Sequence, residues 1–151
     1  MNLMRLYDRV TRLPGGVRIF SWMVARKAPY FKSIRGQVVE MSPGHVEVFL
    51  RKRRSIENHI RTIHAIAVCN ACELAFGMCM ESGLPKHLRW LPAGMTVSYL
   101  AKATTDLIVI AHFPQIVELE PGQYQVPVIA RDMKGTLVLD GEITVHVTAK
   151  K

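Results

Sequence analysis

The sequence predicts an α+β fold in which an antiparallel sheet wraps around one long buried helix, with two short helices ahead of it. Three observations predict it. From Thr62 to Met80 the chain is apolar on nearly every helical face, the mark of a helix enclosed by protein. After Pro85 it runs through β-branched and aromatic stretches joined by short turn signals, which favour antiparallel neighbours. Ahead of both, apolar residues at helical spacing are interrupted by Pro14-Gly15-Gly16.

Each element has its own signal. Leu3, Leu6, Tyr7, Val10 and Leu13 alternate with Arg5, Asp8, Arg9 and Arg12, giving a short amphipathic helix. Val17 to Lys27 gives a second, ending before Pro29. Both are expected to lay their apolar faces on the main body; a basic amphipathic helix also suits a membrane surface, the weaker reading. Residues 1–34 are thus expected as an N-terminal helical extension and 35–151 as the main domain. Gly36 to Met41 and Val46 to Lys52, joined by Ser42-Pro43-Gly44-His45, form a β-hairpin. Ser55 to Ile60 is a connection. In the helix from Arg61 to Glu81, Ala65, Ala67, Ala71, Cys72 and Ala75 are small enough to let a sheet approach, and Gly83 with Pro85 ends it. Strands follow at Met95 to Lys102, Leu107 to Phe113, Tyr124 to Arg131 and Thr136 to Val147, with Asp140-Gly141 expected as a bulge or bend.

Composition narrows the class. A chain of 151 residues with 49% hydrophobic content can bury the core of one domain and is not disordered. Three cysteines are too few, and odd in number, for a disulfide framework, so a reducing, cytoplasmic setting is expected. Arg5, Asp8, Arg9 and Arg12 stand where a secretory signal needs an apolar core. The net charge of +8 is uneven: residues 1–54 carry twelve Lys and Arg against three acids, and the remainder eight against nine. Aromatics accompany the charge only at Phe20, Trp22, Tyr30 and Phe31, which disfavours nucleic acid as the partner.

The polar residues of the buried helix carry the chemistry. Glu73 is the one acid between Asn58 and Met80, among Cys72, Leu74, Ala75 and Phe76. Desolvation raises such a carboxyl toward the range of a useful base. Asn58 and His64 lie at the start of the same helix, where the N–H groups around His64 and Ala65 lack intrahelical partners and favour developing negative charge. His64 and Glu73 are nine residues apart, about 13 Å along the axis and half a turn out of phase. One helix cannot bring both to one reacting atom. Two could, which predicts a homodimer with sites between the chains.

Asn58, then His64-Ala65, then Ala71-Cys72-Glu73 with Phe76-Gly77, resembles the pattern of the hotdog-fold acyl-CoA thioesterases related to the phenylacetate-pathway enzyme. That pattern has an Asn, then His-Gly-Gly, then Leu-Ala-Asp or Leu-Ala-Glu ending nine residues after the His. The resemblance covers about residues 35–148, with Tyr99-Leu100-Ala101-Lys102-Ala103 in the strand region. It implies a hotdog fold, dimers or dimers of dimers, and hydrolysis of an acyl-CoA thioester without a cofactor beyond the coenzyme A of the substrate. It implies Glu73 as base or nucleophile, the Ala65 N–H on the thioester carbonyl, and Asn58 positioning water or substrate. His64 fills the motif position. The family's two glycines are Ala65 and Ile66 here, and a backbone N–H survives either change. A non-catalytic acyl binder of the same fold is the alternative.

Other signals are weaker. Cys69 and Cys72 have half-site metal spacing, but there is no second pair, so no metal is expected. The six histidines are dispersed. Arg51-Lys52-Arg53-Arg54 is either a solvated strand end or, through Arg53 and Arg54, a clamp for coenzyme A phosphates. No nucleophile elbow, P-loop or dinucleotide fingerprint occurs.

Overall fold

A computed structural model describes residues 3–150; Met1, Asn2 and Lys151, which bound the two expected regions, lie outside the described residues. The order is α1 (Leu3–Thr11), α2 (Gly16–Lys27), β1 (Gln37–Ser42), β2 (His45–Leu50), α3 (Ala65–Gly83), β3 (Leu88–Tyr99), β4 (Leu107–His112), β5 (Gly122–Asp132) and β6 (Leu137–Ala149), with 3-10 turns at Pro29–Ser33, Arg54–Ile56 and Pro114–Glu118. One antiparallel six-stranded sheet has the order β1-β2-β4-β5-β6-β3. One face of it holds α3, which packs chiefly on β2 and β4 and also on β1 and β5. This is the hotdog architecture.

Period-two burial makes the seat for the helix. Val46, Val48 and Leu50 of β2, Leu107, Val109 and Ala111 of β4, and Val126, Val128 and Ala130 of β5 are all closed to solvent. Ala71, Cys72, Ala75 and Cys79 of α3 are equally closed, and their small side chains let the sheet come near. The far end of α3 is tied to the hairpin. Ser82 Oγ donates to the Cys79 carbonyl (2.6 Å) and accepts the Gly44 N–H (3.0 Å). Gly44 has φ +75°, and a Cβ there would lie 2.4 Å from the Phe113 carbonyl oxygen, so glycine is required.

The N-terminal helices share this core. Phe20 is fully buried and meets Tyr7 edge-to-face at 5.1 Å. Tyr7 Oη donates to the Val39 carbonyl (3.0 Å), and Ser21 Oγ accepts the Val38 N–H (2.9 Å). These bonds fall where the β1–β2 register shifts, so the helices satisfy backbone that an open sheet edge would leave unpaired.

Three expectations are corrected. The strand after α3 starts at Leu88, not Met95, and carries a register shift between Pro92 and Gly94. It does not neighbour β4: β3 pairs with β6, and β4 lies between β2 and β5. Residues 100–106 cross three strand positions, about 14 Å at the usual spacing and within reach of seven extended residues. On the way Leu100 N–H donates to Val138 O (2.9 Å), and Ala103 O accepts from Ile63 N–H (2.9 Å). Finally, Asp140 and Gly141 sit in unbroken register with Ser98 and Val97. Glycine is there because a Cβ would meet the Thr96 carbonyl oxygen at 2.3 Å.

Candidate functional site

The start of α3 is organised by a short loop. Asn58 Oδ1 accepts from the N–H groups of Ile60 and Thr62 (both 3.1 Å), and Asn58 Nδ2 donates to Thr62 Oγ1 (2.8 Å). Asn58 is therefore the clasp of the turn before the helix, with one Nδ2 proton left over. His64 is the N-cap: its Nδ1 accepts the Ile66 N–H at 3.1 Å. The Ala65 N–H, first in the helix, has no acceptor among the described residues.

Glu73 lies two turns further on, half-buried. Burial raises its carboxyl above the ordinary value of 4.5. It faces a cavity of about 420 Å³ lined by Ala28, Pro29, Tyr30, Phe31, Ile66, Cys69, Asn70 and Met95, where it is the one charged side chain among the described residues. Ile66, Cys69, Asn70 and Glu73 form the stripe of α3 that the sheet leaves open. Asn70 Nδ2 donates to Ser33 Oγ (3.0 Å), fixing the Pro29–Ser33 turn over the helix.

Asn58 and Ala65 line a different space, about 140 Å³, with Tyr99 and Lys102. Within one chain the carboxylate and the free N–H thus occupy separate cavities, as the helix geometry requires. Tyr99 Oη lies 3.6 Å from Cys69 Sγ, and that hydrogen bond is the main reason its phenol is held above its ordinary value.

The basic run divides. Arg53 donates from Nη1 to the Ile34 carbonyl (2.6 Å) and from Nη2 to the Ser33 carbonyl (2.7 Å), holding the segment that leads into β1. Arg54 is exposed, with only a 3.6 Å ion pair to Glu57. Lys52 takes the closer contact to Glu57 (2.8 Å) and with it holds that carboxyl below its usual range. Cys72 and Cys79 are buried thiols whose burial pushes their pKa up, to about 12 at Cys79.

Sequence reasoning missed most of the wall around Glu73. Met95 lines it, whereas Phe76 and Met80 are fully buried core. Pro29, Tyr30 and Phe31 carry no signal in the chain that would place them opposite residue 73. Two of the dispersed histidines also meet: His45 and His112 approach to 3.2 Å between Nδ1 atoms across β2 and β4. The group that Glu40 and Glu47 make with His45 lies on the sheet's outer side, apart from both cavities.

A family model described as a domain of unknown function, DUF4442, matches residues 16–147. The chain belongs to the DUF4442 family. A solved structural-genomics protein is 42% identical to this DUF4442 chain, with 98% of this chain and 99% of that one covered and a TM-score of 0.87. A Pseudomonas aeruginosa protein of unknown function, described as a probable thioesterase, is 19% identical, covering 91% and 97% with a TM-score of 0.80. A hypothetical thioesterase from Streptococcus pneumoniae, solved with coenzyme A, is 17% identical, covering 84% and 98% with a TM-score of 0.69. At 19% and 17% the likeness is one of fold alone: both share with this DUF4442 chain the antiparallel sheet packed on a long central helix. No curated protein matches the chain.

Proposed function

We propose that this protein is a thioester hydrolase acting on acyl-CoA, with Glu73 as general base or nucleophile. The observation that carries the reading is Glu73 itself: a half-buried carboxyl with a raised pKa, alone in charge within an apolar cavity. The free Ala65 N–H at the helix start supplies an oxyanion donor, which aims at the charge that develops on a thioester carbonyl. His64 serves it as cap, and Asn58 serves it as the clasp of the preceding turn, its spare Nδ2 proton available to water or substrate. The two cavities join into one site if Glu73 of one chain meets the helix start of a second. Strand β3 supports that pairing, because it is twelve residues long, bonded on one side only, and leaves Leu91 and Tyr99 exposed. A homodimer, or a dimer of dimers, follows. Arg54 is free to meet coenzyme A phosphates, and Arg53, already bonded to two carbonyls, would support it from behind. The three free cysteines suit a cytoplasmic setting.

Thiol release from a panel of acyl-CoAs tests the reading. Glu73→Gln should lower turnover by about a hundredfold or more while the fold survives. No release from any member, or equal release by Glu73→Gln, would falsify it. One observation favours a second reading, a non-catalytic acyl binder. Ile66 stands where the resembled thioesterase pattern has its second glycine and is 57% exposed at the cavity wall, which narrows the approach to the helix end. A binder would retain acyl-CoA in equilibrium dialysis and release no thiol.

A further inference from the structure

Residues 3–35 carry eight Lys and Arg against one acid, Asp8. Their helices bury Tyr7, Phe20 and Ser21 against the sheet edge, yet large apolar side chains stay outside: Leu13 (59% exposed), Ile19 (46%) and Trp22 (58%). Apart from Lys27 at its last position, the exposed residues of α2 form one stripe. Arg18, Ile19, Trp22 and Arg26 fall within an arc of about 100° at helical pitch, opposite Phe20 and Val24. The Arg26 guanidinium lies 5.5 Å from the Trp22 ring centroid. A face meant for water alone has no use for Ile19 and Trp22, and a face meant for a protein core has no use for Arg18 and Arg26. Apolar anchors flanked by long cationic side chains suit the boundary between headgroups and acyl chains, where the rings enter and the guanidinium groups stay with the phosphates.

We propose that the outer face of α2, with Leu13 at the preceding turn, docks the protein on an anionic lipid bilayer. Charge complementarity selects this occupant: the stripe has no acid of its own, and its neighbours Lys27, Lys32 and Arg35 are cationic. Nucleic acid would satisfy the arginines but gives nothing to Ile19 or Leu13. The chain leaving α2 connects the surface to the cavity. Ala28, Pro29, Tyr30 and Phe31 follow directly and line the space that Glu73 faces, and Tyr30 is 73% exposed at its rim. The docking surface is independent of what Glu73 does, and its test reads binding alone.

The test is cosedimentation of the full chain with vesicles of phosphatidylcholine, with and without phosphatidylglycerol, at low and high salt. The expected result is at least tenfold tighter binding to the anionic vesicles, weakened by salt. Arg18→Gln/Arg26→Gln should lose at least tenfold, since each basic residue at such a surface is worth about fivefold. Ile19→Ser/Trp22→Ser should lose a similar factor with the salt dependence retained. All four positions are exposed, so unchanged circular dichroism is expected of both variants. Equal binding by wild type and both variants, or no preference for anionic vesicles, overturns the proposal. So does tighter binding to duplex DNA that ignores the Ile19 and Trp22 changes.

Discussion

On the proposed reading, Glu73 links stability and reactivity through one proton. Burial disfavours its ionised form, so the folded chain holds the proton more tightly than the unfolded chain does. The sign follows from linkage. Stability associated with the protonated carboxyl is fully present below the ordinary value of 4.5 and is lost as pH rises through the raised folded value. Gln cannot ionise and escapes the loss. The melting temperature of Glu73→Gln minus that of wild type should therefore grow from pH 4 upward and level off once Glu73 is ionised. Thiol release by the wild type should rise across the same window, because a base or nucleophile must be ionised to act. A flat melting difference, or one that shrinks with pH, would place the Glu73 carboxylate in a favourable rather than a desolvated environment. This residue was legible in the sequence because an acid on an all-apolar helix is conspicuous wherever the helix packs. Its cavity partners were not, since Tyr30 and Met95 reach it through tertiary folding from segments 43 and 22 positions away.

At the scale of elements, the connection after β2 separates two arginines that are adjacent in sequence. Arg53 is tied down: its guanidinium bonds to the Ser33 and Ile34 carbonyls hold the turn that walls the Glu73 cavity. Arg53→Ala removes charged donors from two carbonyls and should cost about 2 kcal/mol, lowering the melting temperature by about 4–8 °C. Arg54→Ala should leave the melting temperature unchanged and raise KM for acyl-CoA several-fold with little change in kcat, as expected when uniform phosphate binding is lost. Thermal melts and steady-state kinetics on the two single variants check this, and a shared phenotype would dissolve the distinction. Nothing in the run Arg51 to Arg54 marks out Arg53, because its partners Ser33 and Ile34 lie about twenty residues upstream. The elements themselves were mostly legible, since periodicity is local: the hairpin, the buried helix and four later strands all exist. Order was not. A short polar link from β3 reads as a hairpin turn, while the chain spans the ends of β6 and β5 by pairing its backbone with Val138 and Ile63. Gly141, read as a bulge, is the close-approach residue that lets β3 lie on β6.

For the whole molecule, the proposed homodimer turns the separation of Glu73 from the Ala65 N–H into a question of which chain supplies each group. Ala65 offers a clean probe. It is the first residue of α3, where proline is tolerated because that N–H bonds to nothing within the helix. His64, at φ −61° and ψ 135°, already has the conformation favoured before proline. Ala65→Pro should therefore delete the proposed oxyanion donor, lower kcat by about 10² to 10³-fold, and leave the fold intact. Glu73→Gln deletes the other half of the site. In a symmetric dimer with composite sites, a mixed pair of these variants holds one site with both groups missing and one with both present. Two inactive preparations, unfolded and refolded together at equal concentration, should then regain about a quarter of wild-type activity, since half the dimers are mixed and each has one working site. If both groups act within one chain, every mixed dimer keeps two damaged sites and nothing is regained. Recovery near a quarter would assign the reaction to the junction of two α3 helices across paired β3 edges, and its absence would return the chemistry to the single cavity beneath Tyr30.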